Sequence, residues 1–156
     1  MPSDEQDKAG VVAPPPLIYL GPLIFGLLLN RRFPIPFLPR RIARSLGWPL
    51  LSGGLLLIGW FGWTMRRAGT PASPYKPVSH MVTEGPFHYT RNPGYLAMTM
   101  IYTGIASLAN ALWAILLLPV VLLGIQRGVI EREERYLEHK FGEEYLCYKA
   151  QVRRWI

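Results

Sequence analysis

The sequence predicts an all-α, polytopic membrane protein with about four transmembrane helices. Two of these form a helical hairpin, and a cytosolic C-terminal helical segment follows. Three observations carry this. Half of the 156 residues are AVILMFWYC, and the mean hydropathy is positive. Long stretches carry no charge at all, as membrane spans require. Basic residues gather where those stretches end, as Lys and Arg do when they reach for headgroups. At this length the chain holds one domain, so it divides into a polar tail, 1–10, and a single membrane domain, 11–156.

The tail, MPSDEQDKAG, reads as disordered. It lacks the basic start of a cleaved signal peptide, so the uncharged stretch 11–29 reads as a retained helix, closed by Asn30-Arg31-Arg32. The second stretch, 46–65, ends at Arg66-Arg67. The third, 95–126, is uncharged over 32 positions. One helix of that length would run roughly 48 Å against a hydrocarbon core of about 30 Å. The run therefore breaks at Ser107-Leu108-Ala109-Asn110 into arms 94–107 and 111–126. After it, RGVIEREERYLEHKF (127–141) continues the fourth helix into water, with Arg127–Glu131 and Glu131–Arg135 at i,i+4 spacing. Gly142 suits a helix stop, and 143–156 forms a short amphipathic helix.

Charge distribution narrows the function. The net charge of +7 follows the span ends, so it points to membrane lipids and not to nucleic acid. Five Arg lie in 31–44, and twelve Lys and Arg lie in the N-terminus, 66–94 and 127–156 together. The larger count favours placing that second side in the cytoplasm, while the dense Arg loop, being short, argues the other way. The spans hold no Asp, Glu, Lys, Arg or His, which weakens a transport reading. Cys147 is the single cysteine, and His80, His88 and His139 lack ligand spacing, so neither a disulfide within the chain nor a metal site is expected.

Any chemistry falls in the two polar segments that the hairpin brings to one side. In GPFHYTRNPGY (85–95), Asn92 is a strong N-cap and Pro93 fits a first helical turn. A helix start with Arg91 beside it suits a carboxylate or phosphate. Phe87, Tyr89 and Tyr95 can stack on a purine or face a cation. Taken singly, each of these residues is better explained as a cap, a belt ring or a structural ion. On the second segment, a 100° helical wheel puts Glu133 inside the arc of Val129, Ile130, Tyr136, Leu137 and Phe141, with Glu134 at its edge. A carboxylate on a buried face needs a partner. Arg91 or Arg153 would serve structurally, and a bound amino group would serve functionally.

These two segments together resemble the isoprenylcysteine carboxyl methyltransferase and phospholipid methyltransferase superfamily, in its small bacterial members. The resemblance rests on Gly85-Pro86-Phe87, Arg91-Asn92-Pro93-Gly94-Tyr95, Glu133-Glu134, Leu137, Phe141-Gly142, Tyr145 and Tyr148, and it covers roughly residues 69–156. It implies a methyltransferase of the bacterial inner membrane that uses S-adenosylmethionine (SAM) on the cytoplasmic side. Gly85, Pro86, Tyr89, Arg91, Asn92, Pro93, Tyr95, Glu133 and Tyr145 would bind the cofactor, with Arg91, Glu133 and Glu134 catalytic. The acceptor would be lipophilic: an isoprenylcysteine-like carboxylate, a phospholipid amine or a hydrophobic thiol. Two departures stand out. Asn92 replaces a frequent His, which removes a titratable group. Val152-Arg153-Arg154-Trp155 replaces the Val-Pro of the eukaryotic prenylcysteine enzymes, which argues against a prenylated protein as substrate. No GxGxxG motif follows a strand, so a soluble Rossmann methyltransferase is excluded. The alternatives are an NADPH-dependent lipid or sterol reductase and a non-catalytic membrane assembly protein. Oligomeric state is not legible.

Overall fold

The computed structural model describes residues 10–71, 75–76 and 78–156. The polar tail up to residue 9, and residues 72–74 and 77 of the segment carrying the family likeness, lie outside that range. Among the described residues there is helix and turn, with no strand. Six α-helices follow one another: α1 (Pro15–Arg32), α2 (Arg40–Arg67), α3 (Pro93–Leu108), α4 (Leu112–Ile125), α5 (Glu131–Phe141) and α6 (Glu143–Gln151). A 3-10 turn spans Gly85–His88. A π-helical turn at Gln126–Ile130 joins α4 to α5, so the chain is helical without interruption over Leu112–Phe141.

Proline and arginine set the ends. α1 starts four residues later than the uncharged stretch does, because Pro14 to Pro16 fit only an entry and a first turn. It runs on through Arg31 and Arg32, whose charges suit a helix C-terminus. α2 begins directly after Pro39 and is longer than expected, with Arg40, Arg41 and Arg44 at its start and Arg66 and Arg67 at its end. Long Arg side chains tolerate this because their stems lie along apolar surface while the charged heads stay wet. Among the described residues, two helices are long and apolar enough to cross a membrane: α2, with 28 residues, and the 30-residue run Leu112–Phe141. α1, with 18 residues, and α3, with 16, reach only about 27 and 24 Å.

The hairpin break falls where expected, at Ala109-Asn110. Asn110 adopts φ +49°, a left-handed conformation that Asn tolerates better than most residues. Its side chain is also used. Oδ1 accepts from the backbone N–H groups of Phe37 and Leu38 at 3.2 and 3.1 Å, and Nδ2 donates to the Leu38 carbonyl at 2.7 Å. One residue thus turns the hairpin and pins the α1–α2 loop to it.

Helices pack through small residues. A methyl group on Gly26 would lie 2.6 Å from the Ala114 Cα, and one on Gly104 would lie 2.6 Å from the Leu51 backbone nitrogen. Glycine is what lets α1 approach α4 and α2 approach α3 this closely, the usual route to helix contact without a hydrophobic driving force. The core lies among α1, α3, α4 and the π turn, around Tyr19, Leu23, Tyr102, Ala106, Ile125 and Ile130. Tyr102 donates to the Ala114 carbonyl at 2.7 Å and so satisfies its buried hydroxyl.

Candidate functional site

The hairpin returns the chain to the end of the molecule that carries 85–95, so the two polar segments meet. α5 lies beyond the apolar run of α4 and is charged on most of its surface. From α5, Glu133 accepts a 2.8 Å hydrogen bond from the Tyr95 hydroxyl at the start of α3. From α6, Tyr148 donates to the Phe87 carbonyl at 2.6 Å. Glu134 meets Arg91 and Arg154. These contacts surround a cavity of about 550 Å³.

The cavity walls come from α1, α2, α3, α5, α6 and the loop between α2 and α3. Pro14, Pro15 and Pro16 enter from the start of α1, Phe61 and Met65 from the end of α2, and Val78, His80, Met81 and Val82 from the loop before the 3-10 turn. Arg91, Asn92, Pro93, Gly94 and Tyr95 supply the α3 entry, and Glu133, Glu134, Tyr145 and Tyr148 the C-terminal helices. Seven of the ten residues that the resemblance assigns to cofactor binding or catalysis therefore line one space: Arg91, Asn92, Pro93, Tyr95, Glu133, Glu134 and Tyr145. Gly85, Pro86 and Tyr89 do not.

Gly85 has φ +62° and sits where a methyl group would meet the Thr64 hydroxyl at 2.7 Å. Its role is to bring the 3-10 turn against α2. Pro86 is fully buried beneath that turn. Tyr89 is 69% exposed, and its ring stands beside Trp60. Tyr89 stands two residues after Phe87, at the C-cap of the 3-10 turn; at about three residues per turn the two rings take different directions, and here Phe87 faces the cavity while Tyr89 faces out.

Asn92 also departs from expectation. It occupies the N-cap position of α3, but its side chain makes no cap bond. Nδ2 instead donates to the Arg154 carbonyl at 2.9 Å. Two neighbouring bonds complete the clasp: the Thr90 hydroxyl donates to the same carbonyl at 3.1 Å, and the Arg91 N–H donates to the Arg153 carbonyl at 3.0 Å. The chain after α6 is thereby laced to 90–92, and Trp155 packs against the core cluster.

The two carboxylates exchange the environments expected of them. Glu134 is the more deeply buried, at 6% exposure. Arg154 holds it with two hydrogen bonds, Nε to Oε1 at 2.9 Å and Nη2 to Oε2 at 2.7 Å. Arg91 Nη1 stands 3.3 Å from Oε1, within ion-pair range, but without the alignment of a hydrogen bond. Nε and Nη1 of Arg91 are buried and have no hydrogen-bond acceptor. The pairing of Glu134 with Arg154, and not Arg153, has a backbone cause. After α6 the chain leaves the helix at Val152, with φ −116° and ψ 130°, and it leaves Arg153 exposed and Arg154 partly buried. Arg154 turns inward and Arg153 outward.

Glu133 is half-buried and has no ion-pair partner among the described residues. Burial pushes its carboxyl up to about 7, the Tyr95 hydrogen bond pulls the other way, and the charge on Glu134 adds to the rise. Tyr145 is pushed up to about 12, mainly by burial, so its hydroxyl stays neutral. The site thus presents a buried guanidinium beside Glu134, a carboxylate with no cation among the described residues, and several rings. It can receive a ligand that carries both an anionic and a cationic group on a flat or apolar body.

The phospholipid methyltransferase family model matches residues 42–144. That span runs from the first turn of α2 to the first residues of α6 and includes Arg91–Tyr95 and Glu133-Glu134. An uncharacterized protein of Haemophilus influenzae is 54% identical over 37 residues, 24% of this chain and 59% of that protein. The chain thus spans a little over half the length of that relative. No solved structure matches. With two thirds of its length inside the family match, α2 to α5 included, the chain belongs to the phospholipid methyltransferase family.

Proposed function

We propose that this membrane methyltransferase uses SAM and methylates a small lipophilic acceptor reached from the bilayer. The observation that carries the reading is Arg91: a buried guanidinium on the wall of a 550 Å³ cavity, 3.3 Å from Glu134, whose Nε and Nη1 make no aligned hydrogen bond. Buried donors of this kind are costly unless a ligand completes them. The cavity lies within the roughly 300–1,000 Å³ of small-molecule sites.

The residues present suit SAM. Arg91 would take its carboxylate, and Glu133 its ammonium. Phe87, Tyr95 and Tyr145 would hold the adenine and face the sulfonium. When bound, SAM supplies an electrophilic methyl group for in-line displacement. The protein would orient donor and acceptor and keep water out, which can lower a barrier by roughly 7–11 kcal/mol. A thiolate or carboxylate acceptor needs no base. For a phospholipid amine, Glu133 could accept the proton, since its carboxyl sits near neutrality. Glu134 has both oxygens engaged by Arg154, which suits it to holding Arg91 in place.

In this reading α1 to α4 all cross the bacterial inner membrane, the short ones with tilt or local thinning. The cavity then opens on the cytoplasmic side, among membrane lipids. Calorimetric titration of the detergent-purified protein with SAM, and separately with NADPH, tests the proposal. Saturable SAM binding that is lost in Arg91→Ala supports it. That variant should still fold, because Arg154 continues to satisfy Glu134. Binding of NADPH alone, or of neither compound by folded protein, overturns it.

A further inference from the structure

The segment after α6 lies beyond the family match and outside the cavity wall, yet it holds the least expected contact of the site. We infer that Arg154 is a positioning residue: by taking up the charge of Glu134, it leaves Arg91 available to an anionic group in the cavity. This rests on the proposed SAM reading.

The geometry distinguishes the two arginines. Both approach one carboxylate, but only Arg154 makes aligned hydrogen bonds to it, at 2.9 and 2.7 Å. Arg91 stands 3.3 Å away and unaligned. Its side chain is 9% exposed, against 31% for Arg154. A buried carboxylate takes whichever cation is offered. With Arg154 present, two cations share one anion, and the cluster carries one spare positive charge beside the cavity. Without it, Glu134 would draw Arg91 into a closed, neutral pair, and a ligand carboxylate would meet the residual field of Glu134. The backbone enforces the arrangement. The Arg153 and Arg154 carbonyls accept from Arg91, Thr90 and Asn92, so the tail fixes the register of both arginines at once.

Arg154→Gln removes the charge while keeping those backbone bonds. Titrating wild type and variant with SAM and with 5′-methylthioadenosine, which has the nucleoside and thioether but no amino-acid group, separates positioning from structure. The expected result is a roughly ten- to hundredfold loss of SAM affinity, the scale of one charge-assisted contact, with little change for methylthioadenosine. Arg154→Lys should recover part of the loss. Adding Glu134→Gln to Arg154→Gln should recover most of it, because Arg91 then has no competing anion. Unchanged SAM affinity in Arg154→Gln overturns the inference alone, as does an equal loss for both ligands that Glu134→Gln does not reverse. A wild-type protein that binds no SAM overturns the functional reading and this inference with it.

Discussion

Glu133 and Tyr95 show how a residue-scale contact sets a pH range. Burial raises the Glu133 carboxyl to about 7, and the Tyr95 hydroxyl holds it from rising further. A raised carboxyl binds its proton more tightly in the folded than in the unfolded chain. Its contribution to stability is therefore present below the ordinary carboxylate range and is lost as pH rises through about 7. Pairing with a ligand ammonium runs the other way and weakens as pH falls through about 7. Tyr95→Phe removes the bond that lowers the carboxyl, so the midpoint of SAM affinity against pH should move upward. Titration of both proteins with the same ligand checks this, since the ionisation of SAM itself is common to both. An unmoved midpoint would detach Glu133 from the ammonium. At this scale the sequence was partly legible. Arg91, Glu133 and Tyr95 follow from residue type and position. The division of labour between Glu133 and Glu134 does not, because a helical wheel knows nothing of Arg154, twenty residues away.

Among the helices, glycine decides the spacing. The Gly104 position faces backbone across the α2–α3 contact, and no side-chain rotation relieves a clash with backbone. Gly104→Ala should cost about 1–3 kcal/mol, read as a lowered thermal midpoint in detergent. Gly59 sits on α2 with nothing within 4 Å of an added methyl group. Gly59→Ala should be neutral or slightly stabilising, because alanine is the better helix former. A tolerated Gly104→Ala would mean that the two helices are not held at this separation. Helix existence and the hairpin break were legible from uncharged run length alone. The π turn was not, since widening by one residue per turn leaves no mark on composition. Nor was the side-chain use of Asn92, which a local capping rule assigns to the wrong partner.

At the scale of the whole molecule, the open matter is which way the chain faces. Cys147 is the single cysteine of the sequence and is exposed on α6, so it reports the side of the site without engineering. A membrane-impermeant maleimide should label it in inverted inner-membrane vesicles and leave it unlabelled in intact spheroplasts. The opposite pattern would reverse the topology drawn from counting Lys and Arg. Those counts conflict because the dense Arg loop and the more numerous C-terminal charges lie at opposite ends of the same bundle.

The three prolines that open α1 form part of the cavity wall, while the family match begins only at residue 42. Mutation at 14–16 would reshape the apolar lining while leaving Arg91 and Glu133 in place. If the Arg91 end of the cavity binds SAM as proposed, side-chain changes at the start of α1 would alter which acceptor fits and leave the donor contacts alone.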